Sequence, residues 1–198
     1  MNADEMTQIP GYDYGKNGSS VSSLTDEELT QLEQTVGWTE EDAKVLRKYA
    51  ELFRRHAEAM VDSWRAVIGS QPHLARCFVD AAGKPDDDYK ARVKRRFVQW
   101  VVDVATRPHD RDWINYQEEI GLRHTPAKKN MTDNQNTPPL VPLRYLLGFV
   151  PVVLPVREFF TSEITSEDEL NALECAWTRA VLLHVTLWAK AYTREGMW

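Results

Sequence analysis

The 198-residue sequence predicts an all-α protein. Three observations support this fold class. Threonine or serine followed by a run of acidic residues, the usual start of a helix, recurs along the chain. In the stretches that follow, apolar residues lie three and four positions apart, which places them on one helix face. No stretch alternates apolar and polar residues between hairpin turns, as a half-exposed strand would.

Two capping sequences open the helical part of the chain. Thr25 precedes three acidic residues and predicts a short helix that ends by Gly37. Thr39 also precedes three acidic residues, and it predicts a longer helix that Gly69 and Ser70 close. At 1.5 Å per residue this second helix is about 45 Å long. We therefore expect it to bend or to divide into two helices in series.

Further helical segments are expected along the rest of the chain. Pro72 starts a short helical turn that runs to Phe78. Between residues 124 and 142 the chain is too polar to form a core element, so we expect a long connector there. The longer helices are predicted at about Asp87 to Thr106, Arg111 to Arg123, Leu143 to Phe160 and Ser166 to Arg194.

The first 23 residues precede all of these helices. Their glycine, serine and proline content argues against regular structure, which is typical of a disordered tail. Ile9 and Pro10, with two tyrosines close by, indicate instead an arm that packs onto the rest of the molecule. The domain organisation predicted is an N-terminal arm at residues 1–23 and a single domain at residues 24–198.

The composition argues against a nucleic-acid-binding or membrane-spanning protein. The formal charge is −6 and the pI is near 5.4, which disfavours phosphate backbones. The longest apolar stretch, Tyr145 to Val156, contains two prolines and is too short to cross a bilayer. The basic clusters are short, and we expect them on solvated surfaces; they are Arg54-Arg55, Lys94-Arg95-Arg96 and Lys128-Lys129.

The two cysteines, Cys77 and Cys175, are far apart and form no CxxC pattern. A cysteine-ligated metal cluster or a disulfide framework is therefore not expected. Free thiols, together with an N-terminus that has no apolar signal region, indicate the reducing cytoplasm.

His124 is the strongest candidate for a metal ligand. It ends a predicted helix whose inner face carries Trp113, Tyr116 and Ile120, and a polar loop follows directly. A neutral imidazole at a helix end, over an apolar wall, is what a single axial iron ligand requires.

The other four histidines fit ordinary structural roles. We expect His109, in a charged turn, to lie on the surface, and His73 to form local hydrogen bonds. His56 and His184 lie on apolar helix faces, where a histidine is usually a core residue with satisfied hydrogen bonds.

Other catalytic chemistries find little support. The motifs HExxH, GxGxxG and GxxxxGK[ST] are absent, and neither cysteine has a recognisable histidine partner. Glu118 and Glu119 are adjacent on a helix and point in different directions, so they are not a general acid and base pair.

Several stretches, collinear from Ile9 to the C-terminus, carry a family resemblance. They are IPGYDYG at 9–15, SWRAVIGSQPHL at 63–74, KARVKRRFVQWVVD at 90–103, WINYQEEIGLRH at 113–124, KKNMTDN at 128–134, RYLLGF at 144–149 and the stretch from Trp177 to Tyr192. With these stretches the chain resembles the protoglobin family, whose globin variant is shared with the sensor domains of globin-coupled sensors. The resemblance implies a globin-like fold, a three-over-three helical sandwich, with an extra N-terminal helix and an N-terminal arm that folds over the haem edge.

The same resemblance implies haem b as the cofactor and His124 as the proximal ligand of its iron. The residues expected to bind the cofactor are Trp64, Arg65, Phe78, Val93, Phe97, Tyr116, His124, Leu146 and Phe149. It also implies a homodimer formed through the last two long helices.

The chain departs from the family pattern next to Trp64. The following position is typically a tyrosine that donates a hydrogen bond to the bound ligand, whereas this chain has Arg65. Because burying an unpaired charge is costly, we expect Arg65 to swing towards solvent or to pair with a haem propionate. Thr125-Pro126 after the proximal histidine also differs from the family pattern, and Pro151 is expected to bend its helix.

The function that the resemblance implies is reversible binding of O₂, CO or NO at a five-coordinate iron, for gas binding or sensing. One alternative is catalysis at the same iron, through NO or peroxide chemistry or through carbene transfer in an engineered variant. A second alternative is a haem-free helical module that binds another protein. The sequence does not decide whether the chain is an enzyme.

Overall fold

The structure, a computed structural model, describes residues 8–16, 19–194 and 196–198. In these ranges the chain forms helices and one isolated antiparallel bridge between Val79 and Pro85, so the all-α prediction is confirmed. Short 3₁₀ turns occupy Arg76–Phe78, Arg157–Phe159 and Lys190–Tyr192. The α-helices are α1 (Asp26–Val36), α2 (Glu40–Lys48), α3 (Ala50–Ser70), α4 (Pro72–Ala75), α5 (Asp87–Thr106), α6 (Arg111–Leu122), α7 (Leu143–Val153) and α8 (Glu167–Ala189).

The predicted helix starts are confirmed by their caps. Thr25 and Thr39 each accept a hydrogen bond from the third residue of their helix, and the carboxylate of that residue bonds back to the cap. Gly37, at φ 73°, ends α1 in the left-handed conformation that glycine favours. The long second helix divides at Tyr49, whose φ of −103° and ψ of 13° lie outside the helical region, so two helices in series replace one.

Two predicted helix ends were wrong. The helix expected to reach Phe160 ends at Val153, because Pro155 has no N–H and its ring would clash with the carbonyl four residues earlier. The helix expected to reach Arg194 ends at Ala189 and tightens into a 3₁₀ turn. In that turn the Tyr192 hydroxyl donates to the Val141 carbonyl at 2.7 Å, a tertiary contact that local sequence does not reveal.

Large aromatic rings fill the main core, to which α3, α5, α7 and α8 contribute. Phe53, Trp64, Trp100 and Trp177 are each at most 6% exposed, and neighbouring ring centroids lie 5.2–6.3 Å apart. A second cluster holds α1 against α6 and α8, and its buried members are Leu24, Leu29, Trp113, Ile114, Leu183 and Leu187.

None of the helices described is both long enough and apolar enough to cross a membrane.

Candidate functional site

His124 lies just beyond the end of α6, and its ring is held by a bond to its own helix. The Nδ1 atom lies 2.8 Å from the Ile120 carbonyl oxygen. Because a carbonyl oxygen only accepts hydrogen bonds, Nδ1 carries the proton and Nε2 keeps its lone pair. Within the described ranges Nε2 makes no hydrogen bond. A histidine that ligates a metal typically donates its other ring N–H in this way.

Contacts with α8 and with the long connector fix both the ring and the backbone of His124. The indole of Trp188 stacks on the imidazole at 6.0 Å between centroids and 19° between planes. Trp188 is in turn fixed by its Nε1–H, which donates to Gln117 Oε1 at 2.9 Å. The His124 carbonyl accepts from the Val141 N–H at 2.9 Å and from the Tyr192 hydroxyl at 3.4 Å.

The surroundings of His124 favour the neutral imidazole. Burial lowers its pKa below the usual range, and the nearby charges of Lys129 and Arg123 lower it further, against an opposing effect of the bond to Ile120. A neutral ring is the form that can donate a lone pair to a metal.

An apolar wall lies on α3, α5 and α7. Trp64 is 2% exposed, and Phe97 lies 5.4 Å from it between ring centroids. Phe97 and the predicted residues Leu146 and Phe149 are only half-buried although they pack against the same core. Val93 is also half-buried, one helical turn before Phe97 on α5. Large apolar side chains left half-open beside a buried core can accept a flat apolar group.

The remaining predicted site residues lie elsewhere around the wall. Phe78, in the turn after α4, is half-buried and packs against Tyr89 at 6.2 Å. Arg65 is half-buried and has no ion pair among the described residues. Tyr116 is buried, but its ring contacts the arm, at 5.2 Å from Tyr12 and 5.5 Å from Tyr14.

Arginine and aspartate side chains bind the N-terminal arm. Arg96 donates to the Pro10 carbonyl at 2.7 Å, and Arg123 donates to the Gly11 carbonyl and to Asp13. The hydroxyl of Tyr12 in the same segment donates to Asp103 at 2.7 Å. The described part of the arm is therefore attached to α5 and α6, and Arg123 immediately precedes His124.

Glu119 and its partners join the arm, α6 and the connector. Its carboxylate, 4% exposed, pairs with Arg123 at 2.9 Å and accepts from Lys128 and from the Ser20 hydroxyl at 2.7 Å. Burial alone would raise the pKa of Glu119, but the bonds from Lys128 and Ser20 and the charge of Arg123 lower it to about 2. Glu118 pairs with Lys190 instead, so the two adjacent carboxylates have different cationic partners.

Two expectations about single residues were wrong. His109, expected on the surface, is half-buried and stacks on Trp113 at 4.0 Å, because Trp38 from a distant segment covers its other side at 4.9 Å. Lys129, expected in a solvated cluster, is 5% exposed, and its ammonium donates to the Cys77 carbonyl and the Thr137 hydroxyl at 2.9 and 2.6 Å. The folded connector, which residue type alone does not predict, buries it.

His184 is a core residue, as predicted, but it is not fully satisfied. It is 1% exposed, and its Nδ1 accepts the Trp100 indole N–H at 3.0 Å. Its Nε2 has no hydrogen-bond partner in the described structure. The four-residue spacing from His184 to Trp188 on the apolar face of α8 was the sequence signal for this cluster. No group of three or more His, Cys, Asp or Glu side chains in the described ranges could hold a metal ion.

Comparison with known proteins identifies the fold and the family to which this geometry corresponds. The family model described as Protoglobin matches residues 25–198. The structure is similar to the globin domain of the Geobacter sulfurreducens globin-coupled sensor, with a TM-score of 0.64 at 15% sequence identity over 83% of this chain and 97% of that chain. No curated protein matches the chain. The predicted globin-like fold is confirmed by the structural similarity.

Proposed function

The chain belongs to the protoglobin family, and we propose that it binds haem b through His124 and holds O₂, CO or NO reversibly at the open iron position. Membership of this family supports a haem globin with a gas-binding or gas-sensing role. The observation that carries the proposal is the state of His124: Nδ1–H is bound to a carbonyl and Nε2 is left without a partner among the described residues.

Bound haem supplies the iron at which a diatomic gas is held, and the protein's own residues set its surroundings. His124 offers the Nε2 lone pair, and the Ile120 carbonyl increases the basicity of the ring through its bond to Nδ1–H. The Trp188 stack fixes the plane of the imidazole. The half-open wall of Phe97, Leu146 and its neighbours gives the porphyrin an apolar surface, which excludes water from the gas site.

We assign the arm to the edge of this site. Arg123, the residue directly before His124, binds the arm through Asp13 and the Gly11 carbonyl. The side chain of Tyr116, which sequence reasoning placed at the cofactor, joins the arm to the inner face of α6 through Tyr12 and Tyr14. In this proposal Tyr116 shapes the haem site by holding the arm in place.

The visible spectrum of the purified protein tests haem binding directly. We expect an intense Soret band that shifts when CO is added to the reduced protein. We expect His124→Ala to lose haem on gel filtration, whereas His73→Ala, which replaces an exposed histidine, keeps it. A colourless protein that takes up no added haem would contradict the proposal and would favour a haem-free interaction module.

We also propose that two copies associate through α7 and α8. Along the exposed side of α7 lie Leu147, which is 48% exposed, Gly148 and Pro151, and on α8 Leu182 is 40% exposed. Apolar residues that remain exposed along two neighbouring helices favour a protein contact.

Sedimentation analysis tests the dimer. Leu147→Glu is expected to yield monomers, because it places a charge in the proposed contact. Met131→Glu, at an equally apolar and 74% exposed residue of the connector, is the control that should leave the dimer intact. A wild-type protein that sediments as a monomer at all concentrations contradicts the proposal.

A further inference from the structure

Trp100 has a hydrogen-bond partner unlike that of the other tryptophans. Its Nε1–H donates to a ring nitrogen, His184 Nδ1, at 3.0 Å. Trp177 and Trp198 donate to backbone carbonyls, and Trp188 donates to an amide oxygen. Among the indole hydrogen bonds of the described residues, only that of Trp100 ends on a nitrogen base that can take up the proton.

His184 is placed to receive a proton within the core. Because its Nδ1 accepts from Trp100, the other nitrogen carries the hydrogen, and that Nε2–H has no described partner. Its ring lies 5.1 Å from that of Trp113 and 5.9 Å from that of Trp188, edge-on in both cases. The pair is therefore enclosed by aromatic rings and shielded from external reductants.

A continuous series of rings joins this pair to the proposed iron ligand. His124 stacks on Trp188 at 6.0 Å between centroids, and Trp188 lies 5.6 Å from Trp100. Both steps are ring-to-ring contacts within the buried core, and electron transfer is efficient over such short separations. Trp188 itself has no base at its N–H, so an electron taken from it is readily replaced from Trp100.

We propose that the protein is oxidised at Trp100 when peroxide reacts at the bound haem, and that His184 takes up the indole proton. This inference rests on the haem binding proposed above. Hydrogen peroxide breaks its O–O bond and becomes two waters by taking up two electrons and two protons. One electron comes from the haem group and one from Trp100 through Trp188. Solvent supplies the two protons, and the Trp100 Nε1 proton moves to His184 Nδ1.

The energetics of burial are compatible with this proton shift. Loss of an electron places one positive charge on the Trp100–His184 pair whether the proton moves or not. Moving it along a 3.0 Å hydrogen bond therefore buries no additional charge. The shift leaves a neutral tryptophanyl radical beside an imidazolium, which lies 5.1 Å from the Trp113 ring and 5.9 Å from the Trp188 ring.

Freeze-quench EPR of the haem-loaded full chain after mixing with hydrogen peroxide tests the proposal. We expect a protein radical whose hyperfine structure narrows with ring-deuterated tryptophan and not with ring-deuterated tyrosine. Trp100→Phe should lose most of this signal. Trp177→Phe is the matched control, because Trp177 is equally buried and lies 5.8 Å from Trp100, yet it bonds only to a carbonyl.

The role of His184 has its own readout. Glutamine in His184→Gln can accept the indole hydrogen bond but not the proton. The wild-type radical should therefore be nearly unchanged in D₂O, whereas the His184→Gln radical should retain its N–H and change in D₂O.

If the variants do not fold, peptide mapping of the peroxide-treated wild-type protein locates the oxidised residue. We expect oxidation products at Trp100. A tyrosyl radical, or oxidation products confined to other tryptophans, overturns the inference about Trp100. A Soret band in the same sample still supports haem binding. A protein without a Soret band overturns both proposals.

Discussion

The carbonyl oxygen of Trp188 lies 3.0 Å from the position that a Cβ atom on Gly121 would occupy, and the Trp188 Cα lies 3.1 Å from it. Helices α6 and α8 approach so closely here that only glycine fits without a shift. Three residues later α6 gives way to His124, and Trp188 is the ring on which that histidine stacks. The close approach therefore sets the distance between the proposed iron ligand and its support.

We expect Gly121→Ala to destabilise the protein by about 1–3 kcal/mol, the usual cost of overpacking, and to weaken haem retention by moving His124 from Trp188. Urea unfolding and haem transfer to an apo-globin acceptor measure the two effects. Gly69→Ala on α3 is the control: no atom lies within 4 Å of its Cβ position, so alanine should stabilise by up to about 1 kcal/mol. Equal effects at both sites would contradict the close-approach argument.

Glu119 gives the protein an acid-sensitive component of stability. Its pKa is lowered from 4.5 to about 2 in the folded state, so the ionised form stabilises the fold above pH 4.5. That stabilisation is lost as the pH falls from 4.5 towards 2. The shift corresponds to about 3 kcal/mol.

Glu119→Gln removes this component. We expect the variant to be less stable by about 3 kcal/mol at pH 7 and the difference to vanish near pH 2, as measured by urea unfolding over that pH range. Glu58→Gln, at a side chain that is 72% exposed, is the control and should change little. A Glu119→Gln deficit that is independent of pH would mean that packing, not charge, explains it.

Local sequence determined much of the fold. Helix α5 has both predicted ends, Asp87 and Thr106, because Asp86 caps its start and Pro108 follows its end. The end of α8 could not be predicted in this way, because Tyr192 bonds to Val141, 51 residues away. Where a boundary depends on a long-range contact, periodicity and capping contain no signal for it.

Residue types and helix position predicted only part of the surroundings of His124, the candidate ligand. His124 could be chosen because a helix end, an apolar face and a polar loop coincide there. The stacking of Trp188 on His124 and the burial of Lys129 could not be predicted from the sequence, since both depend on how a distant helix and the connector fold back. Lys128 and Lys129 are adjacent residues of the same type, yet of the two only Lys128 has a carboxylate partner in the described structure.

Arg65 is not expected to act on the bound gas. It is half-buried without a described ion pair, and we expect it to point away from the bound gas. Arg65→Ala should then leave the ratio of O₂ to CO affinities nearly unchanged. Arg65→Tyr should raise the O₂ affinity relative to CO by about 2- to 10-fold, the value of one hydrogen bond to the partly negative O₂.

Stopped-flow association and dissociation rates for both gases give these ratios. Arg76→Ala, which removes an exposed arginine after α4, is the control for loss of positive charge. A tenfold loss of O₂ affinity in Arg65→Ala alone would show that the guanidinium itself donates to the ligand.

Lys129 is expected to make the stability of the protein depend on pH in the alkaline range, where it destabilises the fold in its charged form, whereas charged Glu119 stabilises it. Burial lowers its pKa from 10.5 to about 8, so the folded state binds this proton less tightly than the unfolded chain. The charged ammonium costs stability below pH 8, and the cost disappears as the pH rises from 8 to 10.5. Over that interval wild type should gain up to about 3 kcal/mol relative to Lys129→Met, as measured by urea unfolding. For the control Lys84→Met, at an exposed lysine, the plot of stability against pH should run parallel to that of wild type. If the plot for Lys129→Met also runs parallel to wild type, the Lys129 ammonium stays hydrated.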